Sequence, residues 1–184
     1  AFVGSVRCVE ATAKSFTVPV LEDTLDEANE TATVTLSNAS NATIADDTGT
    51  LTITDDDAIP TLSIDDVTTS NENAADATFT VTLSAISGET VTVQYQTLDE
   101  SLSEGAAQAA FDYTSSSGTL SFAPGITRQK FSVPVLADLI NESNEIVTVR
   151  LSDAVKANIT DATGTLTITD DDSAPSFSIN DVIT

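Results

Sequence analysis

The chain has no histidine, methionine or tryptophan, and only one cysteine, in 184 residues. Without histidine there is no Ser-His-Asp or Cys-His site and no imidazole ligand for a metal. A single cysteine excludes an internal disulfide framework and a cysteine-based zinc site. Basic residues are scarce as well: six Lys and Arg stand against 29 Asp and Glu, a net charge of −23. That balance argues against nucleic acid or an anionic lipid surface as a partner. No apolar run is long enough to span a bilayer as a helix, so no membrane insertion is expected. No signal-peptide pattern opens the chain, because Arg7, Cys8 and Glu10 interrupt it.

What is present is carboxylate without counter-charge. From Ser15 to Thr127 there is no Lys or Arg, yet there are 19 Asp or Glu. Those groups must be hydrated, screened, or bound to a cation from solvent. High charge with few aromatics can signal disorder. Here 40% of residues are hydrophobic and they are regularly placed, which favours a folded chain.

An internal repeat organises the sequence. Residues 16–69 match residues 131–184 at an offset of 115 without a gap, with 33 of 54 positions identical. Residues 58–172 then form one complete unit. Residues 1–57 are the second half of a preceding unit, and residues 173–184 are the first strand of a following one. Either the sequence is a window on a longer tandem array, or its ends are completed by neighbouring copies.

Period-two alternation predicts strands throughout, as in Phe79, Val81 and Leu83 against Thr80 and Thr82. In the complete unit the strands fall near 61–67, 77–84, 90–97, 118–122, 129–136, 146–152 and 163–169. Pro134 inside one of them marks an edge or a bulge. Seven short strands in about 110 residues imply an all-β fold, an antiparallel immunoglobulin-like sandwich. The half-unit should hold about four strands, at Val6/Cys8, 15–21, 31–37 and 48–54. It lacks counterparts of 61–67, 77–84 and 90–97, so it should expose strand edges and an apolar face.

The carboxylates gather where strands end. In the complete unit they are Asp138, Glu142 and Glu145, then Asp170, Asp171 and Asp172, with Glu72 and Asp112 in other loops. The half-unit repeats the first two groups as Asp23, Glu27 and Glu30, then Asp55, Asp56 and Asp57. Consecutive aspartates repel, and hard oxygen donors without His or Cys select calcium or magnesium. Calcium tolerates many carboxylates in irregular geometry, so Ca2+ is the expected ion. The bland alternative is a solvated acidic loop.

Other motifs carry less. Asp47-Thr48-Gly49 has the aspartic-protease triplet, but its repeat partner is Ala162-Thr163-Gly164, which reads as a turn before a strand. No EF-hand spacing occurs. No nucleophile has a base beside it, so no enzyme is expected. Asn29, Asn38, Asn41, Asn141 and Asn158 sit in N-x-[ST] sequons. Asn38 and Asn158 are the better glycan acceptors, since a glycan on Asn141 would crowd the acidic loop.

The segments LSIDDVTTSNE, ATFTVTLS, VTVQYQT, FDYTSSSGTLSFAPG, FSVPVLADLINESNEIVTVRLS and GTLTITDDD together resemble the Calx-beta domain. That family takes its name from the regulatory loop of sodium–calcium exchangers and also occurs in arrays on cell-surface proteins. The resemblance covers 60–172 and implies a seven-stranded sandwich with calcium at one tip. The matching positions are Glu72, Asp112, Asp138, Glu142, Glu145 and Asp170 to Asp172. The acidic residue that often precedes Asp138 is Ala137 here, while the half-unit has Glu22. The half-unit also lacks the positions of Glu72 and Asp112.

The reading that follows is a non-enzymatic, extracellular tandem-repeat protein whose junctions calcium stiffens, as an adhesin stalk, matrix component or filament. Its partners would be adjacent repeats or neighbouring copies, and cell-surface or matrix ligands. The rival readings are a fibre completed by strands from other copies, and a calcium-sensing regulatory module.

Overall fold

A computed structural model describes residues 2–6, 14–73, 76–99 and 106–182. Cys8, and with it the strand expected through Val6 and Cys8 beyond Val6, lies outside the described residues. The chain divides into two compact units, Ala1–Ala58 and Ile59–Thr184. Among the described residues there is no helix, so none is long and apolar enough to cross a membrane.

The second unit is a two-sheet sandwich. Its strands are β5 (Thr61–Ile64), β6 (Val67–Thr68), β7 (Ala77–Leu83), β8 (Val91–Leu98) and β9 (Ser117–Phe122). They continue as β10 (Arg128–Val133), β11 (Glu145–Val155), β12 (Asn158–Ile159) and β13 (Thr163–Ile168). One sheet runs β10-β7-β5-β12 and the other β6-β13-β11-β8-β9. The alternation read in the sequence becomes burial: every second residue of β7 is buried, and β13 does the same from Gly164 onward. The two inner faces meet in one core built around Leu62, Phe79, Val93, Phe122, Val149 and Leu166. Phe131 stacks between Phe79 (centroids 5.3 Å) and Tyr95 (3.9 Å).

Three expected strands differ, each for a local reason. The strand expected at 61–67 is two, because the chain changes sheet at Asp65-Asp66. The Asp65 carboxylate accepts the Thr80 N–H of one sheet (2.7 Å), and that of Asp66 accepts the Thr165 N–H of the other (2.7 Å). These bonds replace ladder bonds where the strand crosses. The strand expected at 129–136 stops at Val133, since Pro134 has no N–H to donate. It lies at the edge of its sheet, and Val135 rejoins only as a bridge to Tyr113. The strand expected at 146–152 runs on to Val155 through a bulge after Ser152, with Asp153 left-handed at φ 50°.

The first unit consists of β1 (Phe2–Val6), β2 (Lys14–Val18), β3 (Glu30–Thr35) and β4 (Thr48–Ile53). They pair as two separate hairpin sheets, β1-β2 and β3-β4. The β3-β4 register reproduces that of β11-β13 residue for residue: Glu30 faces Ile53 as Glu145 faces Ile168. Yet burial is not reproduced. Phe16 is 38% exposed, whereas Phe131, at the same place in the repeat, is 8% exposed. Residues 173–182, expected to open a further unit, carry no strand. Among the described residues nothing pairs with them, and a strand without a neighbour has no ladder.

Candidate metal centre

The acidic tip of the second unit is assembled by four connections. Glu72 follows β6, which pairs in parallel with β13. Thr69 fixes this crossing: its N–H donates to the Thr167 carbonyl (2.9 Å), and its hydroxyl oxygen accepts the Thr169 N–H (3.0 Å). Glu72 thereby reaches the end of β13, where Asp170, Asp171 and Asp172 begin. Asp112 lies in a turn tied to the strand that precedes Asp138. Its carbonyl accepts the Leu136 N–H (2.9 Å), and the Thr114 N–H donates to the Pro134 carbonyl (2.8 Å). Asp138 and Glu142 sit in the loop between β10 and β11, and Glu145 is the first residue of β11.

Two groups of three carboxylates result. In the first, Glu72, Asp138 and Asp172 place ligand oxygens within 4.8 Å of one another. In the second, Asp112, Glu142 and Glu145 do the same. Glu72 is buried, an expensive place for a charge without a partner. The ion pair Lys156–Glu89 (2.8 Å) involves neither group. Asp170 adds a further donor: its Oδ2 accepts the Asn141 amide (3.2 Å), and its Oδ1 is buried without a hydrogen bond. The side-chain oxygen of Asn71 is buried and unpaired in the same way. Asp171 is exposed.

The electrostatics record the crowding. Burial first, then the charges of Asp112 and Glu142, push the Glu145 carboxyl from 4.5 up to about 7. Burial and the charges of Asp138, Asp170 and Asp172 raise Glu72, against the Asp138 N–H that hydrogen-bonds its carboxylate. Glu142 and Asp172 are raised for the same two kinds of reason, burial leading in each. Burial and like charges disfavour the ionised form of these four carboxyls, and a bound cation would relieve that penalty. Orphaned buried oxygens and an all-oxygen, anionic donor set fit a hard divalent cation, calcium above magnesium because of the number of carboxylates.

The pH dependence follows with a definite sign. Glu145 binds a proton more tightly folded than unfolded, so its contribution to stability is complete below about 4.5. It is lost as pH rises to about 7. In chelator, the melting temperature of the protein is therefore expected to fall across that interval. With excess calcium the slope should reverse, because calcium competes with those protons. Differential scanning calorimetry at several pH values with and without calcium reads both slopes.

In the first unit the corresponding carboxylates are present, but among the described residues no three of them meet the same distance criterion. Burial and repulsion from Glu30, Asp23, Asp55 and Asp57 raise Glu27, and Asp57 is raised by burial and by its aspartate neighbours. The loop geometry itself is repeated. The Leu25 N–H donates to Asp23 Oδ1 (2.9 Å) as the Ile140 N–H does to Asp138 Oδ1 (2.6 Å). What the unit lacks is any counterpart of Glu72 and Asp112.

Sequence reasoning missed the hydrogen-bonding roles of three asparagines, two of which, Asn29 and Asn141, it read as sequons. Asn29 Oδ1 accepts the Asp55 N–H (2.9 Å), and Asn144 Oδ1 accepts the Asp170 N–H (3.2 Å). The same clasp thus holds the aspartate run against the D-x-x-x-E-x-x-E loop in both copies. Identity at this repeat position was the available signal. Asn141, read as a sequon, donates its amide to Asp170 Oδ2 and to the Asp172 carbonyl (2.9 Å), so its side chain orders the tip. Asn38 and Asn41 are exposed and left-handed at φ 55° and 57°. Asn158 is exposed on β12.

An antiparallel sandwich with a carboxylate-lined tip is the class that the fold and site define. The chain belongs to the Calx-beta domain family, whose model matches residues 9–57 and 55–172. A curated relative, the sodium/calcium exchanger Calx of Drosophila melanogaster, is 35% identical over 94 residues, half of this chain and 9% of the exchanger. Among solved structures, the apo form of the Calx CBD1 domain has a TM-score of 0.55 at 24% identity, covering 62% of this chain and all of that domain. The calcium binding domain CBD12 of CALX1.1 has a TM-score of 0.54 at 28% identity, covering 65% of this chain and 50% of that one. CBD12 from CALX1.2 has the same TM-score at 26% identity, covering 61% of this chain and 46% of that one.

Proposed function

We propose that residues 59–172 are a calcium-binding, non-catalytic module of an extracellular tandem-repeat protein, and that calcium stiffens the junctions between its repeats. The observation that carries the reading is the pair of three-carboxylate groups at one tip, with buried Glu72 and an unpaired Asp170 oxygen beside them. Glu72, Asp138 and Asp172 would hold one ion, and Asp112, Glu142 and Glu145 another, with Asp170 and Asp171 available to the first. Asp23, Glu27, Glu30, Asp55, Asp56 and Asp57 would form the equivalent site of the first unit once a preceding half-unit supplies the missing donors. Membership in the Calx-beta family, and likeness to a structure described as a calcium binding domain, support the choice of ion.

Stiffening follows from electrostatics. The aspartate run 55–57 lies three residues before Pro60, where the complete unit begins. Without a cation, those charges repel the 23–30 loop; bound calcium would link the two and shorten the free linker. Sparse basic residues and the exposed sequons support a location outside the cell. Cell-surface or matrix ligands and neighbouring repeats are the partners such a stalk would serve.

Isothermal titration of the native protein with calcium tests the proposal. At least two bound ions are expected in the complete unit, at affinities of about 10⁻⁴–10⁻³ M for an extracellular module. Glu72→Gln should weaken one binding event and Asp112→Asn the other, each by about tenfold or more. Sub-micromolar affinity would favour the sensing role instead. No calcium heat at ~10 mM, or variants that bind like wild type, would overturn the site.

A further inference from the structure

The turn that carries Asp112 is closely bonded within itself. The Gln108 N–H donates to Asp112 Oδ2 (2.6 Å), and the Asp112 N–H donates to the Gln108 carbonyl (3.0 Å). The Ala110 N–H donates to the Tyr113 carbonyl (2.8 Å), with Ala110 left-handed at φ 72°. An alanine keeps that conformation only where its surroundings over-determine it. These bonds fix the shape of the turn. They do not fix where the turn sits relative to Glu142 and Glu145.

Bonds on two sides of the turn do that. On one side the Asp112 carbonyl and the Thr114 N–H are tied to Leu136 and Pro134, which lead into the loop of Asp138 and Glu142. On the other side stands Asp99, the residue after β8. Its Oδ1 accepts the Tyr113 hydroxyl (2.5 Å) and the Ala109 N–H (3.1 Å), donors that flank Asp112 on both sides. β8 pairs with β11, Leu98 opposite Thr148, and β11 begins at Glu145. Asp99 therefore ties the Asp112 turn to the strand that carries Glu145.

Neither partner is accounted for by the core or by the acidic groups alone. Tyr113 is 1% exposed, so its hydroxyl needs an acceptor that a phenylalanine in the same space would not. Asp99 is exposed and belongs to neither group of three carboxylates. A hydroxyl on a carboxylate makes a charge-assisted bond, stronger than a neutral one. Outer partners of this kind set the orientation, and with it the affinity, of the ligands they hold. All the donors and acceptors involved lie between Asp99 and Glu145, inside the complete unit, so none is supplied by a neighbouring repeat.

We propose, on the calcium reading of the tip, that Asp99 and Tyr113 are positioning residues for the second carboxylate group: together they hold Asp112 beside Glu142 and Glu145, so that an ion meets a preformed trio. Asp99 acts through its two hydrogen bonds and does not touch the ion. The group of Glu72, Asp138 and Asp172 does not depend on the pair.

Isothermal titration of the full chain with calcium reads the binding, and amide hydrogen exchange by NMR in chelator reads the turn itself. Asp112→Asn identifies one binding event and Glu72→Gln the other. Tyr113→Phe and Asp99→Ala should each weaken the Asp112-dependent event by about tenfold and leave the Glu72-dependent event unchanged. Asp99→Asn keeps an acceptor oxygen for both donors, so it should bind close to wild type. In chelator, the Gln108 and Ala109 amides of Tyr113→Phe should be accelerated more than those of Val81 and Leu166 in the core strands. Equal weakening of both events, equal acceleration of turn and core, Asp99→Asn as weak as Asp99→Ala, or variants that bind like wild type would each overturn the role of the pair. No calcium heat from the wild type would overturn the calcium reading of the tip, and the role of the pair with it.

Discussion

Adding calcium to the chelated protein is expected to raise the melting temperature of residues 59–172 by roughly 10 °C at neutral pH. An ion present at about 100 times its dissociation constant stabilises the folded state by ~2.7 kcal/mol. For a domain of this size each kcal/mol shifts the midpoint by roughly 4 °C. Two ions would add further. The same physics gives opposite effects for one substitution. Glu145 is half-buried among Asp112 and Glu142, and its carboxyl is pushed up to about 7. Glu145→Gln removes a charge that the chelated fold tolerates poorly, so in chelator the variant should melt higher than wild type at pH 8. In calcium it should melt lower, having lost a ligand. A variant that shifts the same way in both conditions would refute a metal role for this residue. Calorimetry with EGTA and with calcium gives both numbers.

The second large effect concerns the repeat. Phe131→Ala should cost about 3–5 kcal/mol, the range for emptying an aromatic from a packed core. Its ring lies between Phe79 and Tyr95, and no side chain left behind can fill that gap without losing the stack. Phe16→Ala, at the corresponding position and in the same sequence context FTVPVL against FSVPVL, should cost under 1 kcal/mol. Among the described residues no counterpart of β7 or β8 covers Phe16. Urea denaturation of the two variants side by side measures the contrast. Equal costs would mean that the first unit is closed in solution.

Much of this was legible in the sequence because the signals are local. A period of two over Phe79, Val81 and Leu83 names the inward face of β7 without any tertiary information. Pro134 announces an edge strand because a missing N–H is a property of the residue itself. The acidic tip was legible for a different reason: identical aspartate runs at an offset of 115 cannot be accidents of composition. The change of sheet at Asp65-Asp66 was hidden. The sequence reading carried one strand straight through 61–67, and only the positions of Thr80 and Thr165 show the two aspartates replacing the ladder. The role of Asn141 was hidden too, since a sequon and an amide cap are indistinguishable without the acceptor.

By itself the sequence determined the strands, the repeat and the chemistry of the tip: alternation, self-similarity and oxygen donors without basic partners are all written along the chain. Only the tertiary structure decided which carboxylates converge. Glu72 is far in sequence from Asp138 and Asp172, and Asp112 from Glu142 and Glu145; each group meets because β6 crosses to β13 and the Asp112 turn is tied to residues 134–136. That one copy of the repeated motif is a core and the other an exposed pair of hairpins was already expected, because residues 1–57 hold no counterparts of the strands near 61–67, 77–84 and 90–97; the structure added how the exposure falls, with Phe16 open where Phe131 is covered. Burial belongs to neighbours supplied by β5 to β9, and no residue of a repeat carries that information alone.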